Sequence, residues 1–208
     1  MQIPTMTIKW NQILILCSFF LFISANALYG QSLYFDIYKG EDKIGGITVE
    51  KTVDEQGVHY AANSEAEFRV IFKNRLTSLT AASFEDNKLT QAVSKIILND
   101  NIREYNTTKK EGKDYHYTQH EEESFTKEEA PFLFSTVMMY YEEPVGIEKV
   151  FSENYQVLCD LKKIGPHSYE LALPGGKINH YFYENGRLVE IKVFRTFVDL
   201  SFKLSEQA

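Results

Sequence analysis

The amino-acid sequence predicts a mainly β protein: a single curved antiparallel sheet of about 10 strands that forms a half-barrel or incomplete barrel. It also predicts one buried helix near residues 127-141. Three observations lead to this fold class. Apolar and polar residues alternate over long stretches, turn-forming residues recur at short intervals between those stretches, and one densely apolar segment breaks the alternation.

The longest alternation covers residues 58–72. Its even-numbered positions carry mostly Val, Tyr, Ala and Phe, whereas its odd-numbered positions carry mostly His, Asn, Glu and Arg. A period of two predicts one long antiparallel strand with one face in water. At about 3.3 Å per residue such a strand approaches about 50 Å, so it must twist and curve.

Shorter alternating stretches are separated by turn signals such as Asp86-Asn87 and Asn185-Gly186, whose residues tolerate the positive φ of a tight hairpin turn. This spacing is typical of an antiparallel meander. The further predicted strands are 33–39, 44–53, 76–85, 89–98, 102–108, 115–119, 155–162, 169–173, 179–183 and 188–204.

Residues 84–89 match residues 183–188 in type at every position, each with an aromatic, an acid, a two-residue turn, a base and Leu. Both a duplicated hairpin and convergence on good turn chemistry explain the match.

In the last predicted strand the apolar residues change parity between Val193 and Val198. Such a change predicts a bulge or sharp bend near residues 194–197.

The predicted helix begins with a capping box formed by Thr126 and Glu129. Residues 131–141 follow, and their apolar side chains would cover nearly the whole helix surface, which indicates burial against the concave face of the sheet. Met and aromatic side chains adapt to lipid-like ligands, although an ordinary core is the alternative. The residues predicted to line such an apolar pocket are Phe132, Phe134, Met138 and Tyr141.

The N-terminus has the order of a secretory signal peptide: Lys9, an apolar run over residues 13–23 and a small, polar region with an Ala-Asn-Ala site. The run is shorter than the roughly 20 residues that span a membrane. We therefore expect residues 1-30 to be a signal peptide, cleaved after Ala27 or Gly30, and residues 31-208 to be a single β-rich domain. This predicts export to the periplasm or outer envelope, with membrane contact only through the signal segment.

The charge and cysteine content narrow the range of functions. The net charge is −7, whereas a protein that binds nucleic acid needs a basic surface. The charge therefore argues against a nucleic-acid partner. Of the 2 cysteines, only Cys159 remains after signal cleavage. Its neighbours alternate between apolar and polar residues, which predicts a buried, inert thiol on the apolar face of a strand.

No catalytic or cofactor motif stands out. The sequence has no Gly-rich phosphate loop, no G-x-S-x-G and no H-E-x-x-H, so we expect no cofactor, no metal and a non-enzymatic protein. His116 and His120 would lie about 13 Å apart on a strand, too far for one ion. Glu142, Glu143 and Glu148 could supply a carboxylate pair for a hydrolase, but acids beside a proline are more often solvated.

Two stretches carry a family resemblance: residues 134–144 with 150–153, and residues 173–186. Together they resemble a family of exported proteins of unknown function found mainly in Bacteroidota, which implies export and a β-rich domain but no activity. A curved sheet that holds a helix is also distantly similar to the half-barrels of periplasmic lipoprotein carriers.

The function expected from these observations is that of an envelope protein that binds an apolar or lipid-like ligand in the concave face of the sheet. One alternative is a structural or interaction module for another envelope protein. A second alternative is a hydrolase built on the acidic residues.

Overall fold

The computed structural model describes residues 29–69, 73–120, 123–128, 130–195 and 198–206. In this part of the chain fourteen strands form one antiparallel sheet. They are β1 (Tyr29–Lys39), β2 (Asp42–Asp54), β3 (Gly57–Arg69), β4 (Lys73–Glu85), β5 (Lys88–Leu98), β6 (Asn101–Glu111), β7 (Asp114–Gln119), β8 (Glu123–Glu128), β9 (Lys149–Ser152), β10 (Val157–Gly165), β11 (Ser168–Leu173), β12 (Lys177–Glu184), β13 (Arg187–Phe194) and β14 (Leu200–Leu204).

The sheet consists of two meanders joined in its middle. The strands β1 to β8 lie side by side in chain order, and so do β9 to β14. Because β1 pairs with β14, for example at Phe35 and Leu204, the first and last strands are neighbours. The sheet does not close, and β8 and β9 form its two edges. The mainly β prediction is therefore confirmed, as a single open antiparallel sheet.

The predicted number of about 10 strands is wrong, since the described residues form 14 strands. Two short edge strands, β8 and β9, were not expected, because β8 is strongly polar and β9 has only 4 residues. The predicted strand 188–204 is two strands, β13 and β14, which pair antiparallel to each other. Val193 faces Leu200, so the chain reverses between them, which agrees with the sharp bend that the change of parity predicts and not with a bulge.

The helix predicted near residues 127–141 is also wrong. Residues 130–148, which we call the crossing segment, run from β8 at one edge of the sheet to β9 at the other and contain one short 3-10 turn, Met138–Tyr140. The expected capping residue Thr126 lies in β8, where its hydroxyl oxygen is 2.8 Å from His116 Nδ1. The second capping residue, Glu129, lies outside the described residues.

The composition of the crossing segment explains why it is not helical. It is rich in aromatic and β-branched residues, which lose side-chain freedom in a helix. Its backbone also finds partners outside itself, because the Phe151 amide donates to Phe134 O at 2.9 Å and the Thr136 amide donates to Phe151 O at 3.0 Å. These bonds cover the free edge of β9 and replace the hydrogen bonds of a helix.

The two hairpins with matching sequences have matching geometry. Both turn residues of each hairpin have positive φ, at Asp86-Asn87 and at Asn185-Gly186. Each hairpin also carries a shift of register directly before its aromatic residue, Phe84 or Tyr183. The turn Asn99-Asp100 also has positive φ at both residues, so this turn geometry does not require the repeated sequence.

Alternation of burial follows the alternation of residue types. Along β3, Tyr60, Ala62 and Ala66 are buried, whereas Asn63 and Glu65 are exposed. The buried side of the sheet packs against the crossing segment and forms one hydrophobic core. Cys159 is buried at 3% exposure, as its position in the alternation predicts. Within the described residues no helix has the length and apolarity needed to cross a membrane.

Candidate ligand-binding cavity

A cavity of about 280 Å³ lies between the sheet and the crossing segment. Strands of both meanders line it, from Ile37 of β1 and Ile96 of β5 to Leu171 of β11 and Phe202 of β14. The sheet therefore curves around this space. The crossing segment contributes Val137 and Tyr140, and most of the other lining side chains are aliphatic or aromatic, as in pockets for apolar ligands.

One part of the cavity wall is cationic. Arg195, directly after β13, lines the cavity and donates from Nη1 to Phe194 O at 2.8 Å and to Asn179 Oδ1 at 3.0 Å. Burial lowers the pKa of Arg195. Lys177 of β12 lies close by, because it donates at 2.7 Å to the hydroxyl of the cavity-lining Tyr155.

A buried carboxyl holds the cavity-lining residues Thr136 and Val137 in place. Glu153 is 1% exposed and accepts hydrogen bonds from the Thr136 hydroxyl and, at 3.1 Å, from the Val137 amide. These bonds hold the start of the 3-10 turn against β9. Burial raises the pKa of Glu153, and the hydrogen bonds from its neighbours offset this only in part.

The four residues predicted to line an apolar pocket do not meet at one place. Phe132 is buried at 4% exposure, between the rings of Phe151 at 4.4 Å and Tyr115 at 4.6 Å. Met138 is buried in the 3-10 turn and Phe134 is half-buried. None of these three lines the cavity, which from the crossing segment takes Thr136, Val137 and Tyr140.

Tyr141, the fourth predicted residue, lies at a separate surface hollow of about 400 Å³ beside Leu33 and Arg187. Its hydroxyl is 2.7 Å from Gln31 O and 2.8 Å from Val49 O, which ties the crossing segment to β1 and β2. Tyr140 lines both the hollow and the cavity and therefore separates them.

The acidic residues considered for hydrolysis hold the crossing segment in place. Glu142 accepts hydrogen bonds from Tyr60 OH of β3 at 2.6 Å and from Lys51 Nζ of β2 at 2.9 Å. Glu142 is not among the residues that line the cavity. The arrangement gives no support to a catalytic role for this residue.

Glu143 makes the matching contact with the other meander. Tyr169 OH of β11 donates to it at 2.7 Å, and His167 Nδ1 lies 3.0 Å away. Burial alone would raise the pKa of Glu143, but the hydrogen bonds from Tyr169 and His167 lower it overall. Adjacent carboxylates thus connect the crossing segment to both halves of the sheet.

Metal binding has no basis in the geometry of the described part of the chain. There, no group of three or more His, Cys, Asp or Glu side chains lies close enough together to hold an ion. His116 instead lies 3.4 Å from Glu111 and 2.8 Å from the Thr126 hydroxyl oxygen.

Sequence reasoning did not single out Arg195, Tyr140 or Glu153. Arg195 follows the change of parity after Val193, and that signal could have marked it as a residue at a chain reversal. Tyr140 and Glu153 gave no separate signal, because their positions depend on the path of the crossing segment.

The fold and the cavity define a class: an open antiparallel β-sheet protein with a mainly apolar cavity that has a cationic residue in its lining. Residues 35–205 match DUF6134, a domain of unknown function, and the chain belongs to that family. The sequence-based resemblance to a family of unknown function is confirmed at this level. No curated protein matches the chain.

A solved structure shares the fold. It is the crystal structure of a beta-barrel-like protein of the domain of unknown function DUF1849 from Brucella abortus, with a TM-score of 0.55 and 10% sequence identity. The match covers 87% of this chain and 98% of that chain. At this identity the similarity concerns the fold alone.

Proposed function

We propose that the protein is an exported, non-enzymatic protein of the periplasm or outer envelope that binds an apolar or lipid-like ligand in the concave face of its sheet. The observation that carries the proposal is the cavity of about 280 Å³, lined mainly by apolar side chains of both meanders. A monomer core is close-packed, and voids larger than a water molecule are few. A space of this size, bounded by an open sheet, suits a small apolar guest.

The start of β1 bears on the signal peptide, whose residues 1–28 lie outside the described part of the chain. Tyr29 pairs with Val53 and Gly30 pairs with Thr52. Cleavage after Ala27 would keep both pairs, whereas cleavage after Gly30 would remove the first 2 residues of β1. We therefore favour cleavage after Ala27.

A Bacteroidota origin stays a prediction from the sequence resemblance.

A cavity-filling substitution tests the proposal. Ala66 lines the cavity from β3, and Ala66→Leu would place an isobutyl group in the space of a methyl group. We expect the mature protein to bind octan-1-ol saturably in calorimetry, and the variant to bind about tenfold more weakly. Excluding about two ligand methylenes, at about 0.8 kcal/mol each, accounts for a loss of this size.

The matched control is Ala172→Leu, which adds the same group at an exposed position of β11. It should bind octan-1-ol as the wild type does. Equal weakening in both variants, or no binding of an apolar guest by the wild type, would contradict the proposal. If the wild type binds octan-1-ol as expected, solvent extraction of protein purified from its native host, followed by mass spectrometry, would identify a natural ligand.

The interaction-module alternative rests on the edge strand β8. This strand pairs with β7 on one side only, and Phe125 on it is 47% exposed while stacking on Tyr117 at 4.8 Å. An unpaired edge strand can accept a strand from another protein. Co-purification from the native host distinguishes the interaction module from the ligand-binding protein. A stable protein partner that no longer co-purifies with the Phe125→Asp variant would favour the interaction module.

A further inference from the structure

The position of Arg195 is unusual for a cation. It is half-buried beside an apolar space, and its three hydrogen bonds all leave from Nη1. The acceptors are two backbone carbonyls and the amide oxygen of Asn179, so none of them carries a charge. Among the described residues no carboxylate forms an ion pair with Arg195.

Among the described residues, acceptors are present for only one of the three nitrogens of this guanidinium. Arginine has five N–H donors and stays charged in proteins. Within the described part of the chain, Nε and Nη2 of Arg195 donate to no other residue. A planar pair of such donors matches the two oxygens of a carboxylate. Burying a charge without a partner is unfavourable, so an anion at this wall would recover part of that free energy.

The surroundings favour a single anionic group at this end. Lys177 reaches Tyr155 OH at 2.7 Å, which adds a second cation near the same wall. The buried carboxyl of Glu153 is engaged with Thr136 and the Val137 amide and forms no ion pair with Arg195. The remainder of the cavity is mostly apolar, with Ile47 on the sheet side as an example.

The volume limits the length of the tail. A cavity of about 150 Å³ can hold benzene, so one of about 280 Å³ holds roughly twice as many carbon atoms. Benzene has six carbon atoms, so the space holds about 11 heavy atoms in all, which fits a single chain of about eight to ten carbons with its head-group oxygens but not a two-chain phospholipid.

We propose that the ligand is a single-chain fatty carboxylate whose head group accepts hydrogen bonds from Arg195 and whose tail fills the apolar part of the cavity. This inference rests on the proposed function, since it assumes that the cavity is occupied. It adds the chemical class of the ligand and the residue that recognises it.

A comparison of octanoate with octan-1-ol tests the inference, because the two share a tail and differ in the head. Calorimetric titration of the mature protein at pH 7 should give a dissociation constant at least tenfold lower for octanoate, the ratio expected of charge-assisted hydrogen bonds. Arg195→Gln should abolish this preference, so that octanoate binds the variant no more tightly than octan-1-ol does. Arg195→Lys keeps the positive charge but loses the planar pair of N–H donors, so it should retain part of the preference for octanoate.

Arg103→Gln is the matched control, because Arg103 is an exposed arginine of β6. It should leave the affinities for both probes unchanged. Equal affinity of the wild type for octanoate and octan-1-ol would overturn the inference and leave the proposed function standing. Absence of binding by both probes would instead contradict the proposed function. The comparison of octanoate with octan-1-ol on the wild type needs no variant, so it tests the inference even if Arg195→Gln does not fold.

Discussion

At the scale of single residues, burial sets the chemistry of the titratable groups. Cys159 and Glu153 are both nearly inaccessible. Burial raises the pKa of the Cys159 thiol to about 11, which keeps it protonated and unreactive at neutral pH. Its burial could be predicted from the alternation of its strand. The burial of Glu153 could not, because it arises from contact with the crossing segment.

The raised pKa of Glu153 makes the stability of the fold depend on pH. The folded state binds its proton more tightly than the unfolded state, so stability falls as the pH rises above the unfolded pKa. We expect Glu153→Gln to gain stability relative to the wild type as the pH rises from 4.5 through neutrality, with a slope of at most about 1.4 kcal/mol per pH unit.

Urea denaturation across this pH range measures the effect. Glu148→Gln, which neutralises an exposed carboxyl, should change stability little at any of these pH values. A difference between Glu153→Gln and the wild type that does not vary with pH would show that Glu153 does not contribute in this way.

At the scale of elements, the hairpins depend on a few backbone positions. Gly57 begins β3 with φ at +134°, and a Cβ atom there would overlap the Phe84 carbonyl oxygen of β4. Gly40, in the turn between β1 and β2, also has positive φ, at +62°, but a Cβ atom there meets no atom within 4 Å. Gly40 therefore shows the effect of a left-handed conformation alone, whereas Gly57 combines a still less accessible conformation with crowding.

We expect Gly40→Ala to lower the free energy of unfolding by about 1 kcal/mol, which is the conformational part alone. Gly57→Ala should lower it by about 3 kcal/mol or more, because the strands β3 and β4 must also move apart. Chemical denaturation of both variants checks the expectation. Equal losses would mean that the contact with Phe84 relaxes without effect.

The strands were predictable where side chains alternate and where the turn residues tolerate positive φ, as at Asn185-Gly186. The edge strands were not, because β8 lacks an apolar face and β9 is short. The sequence of the crossing segment resembles that of a helix for a related reason. It is densely apolar, as a buried helix would be, and many of its apolar side chains lie in the core, but its backbone is not helical.

At the scale of the whole molecule, the crossing segment connects the two meanders through the neighbouring carboxylates of Glu142 and Glu143. Tyr60 of β3 holds the first carboxylate and Tyr169 of β11 holds the second. These contacts fix the segment across the concave face and so set the shape of the cavity beneath it. The sequence indicated acids beside a proline but not the tyrosines that reach them from distant strands.

We expect Tyr60→Phe and Tyr169→Phe each to lower the free energy of unfolding by about 1–2 kcal/mol, because each removes a hydrogen bond to a carboxylate. Tyr105→Phe is the control, since its hydroxyl donates no hydrogen bond to another described residue. Thermal and urea unfolding measure the losses. If both variants were as stable as the control, the two carboxylates would not be holding the segment in place.

The pairing of β1 with β14 has a consequence for the order in which the chain can fold. Neighbouring strands of each meander are joined by short turns, so they can associate as soon as they leave the ribosome. The other edge of β1 has no such local partner, since residues 200–204 are made after every other described strand. Until then β1 presents an open strand edge on which another nascent chain could grow. The interval before β14 docks is therefore a stage at which β1 exposes this protein to aggregation, and the docking of β14 ends that exposure of β1.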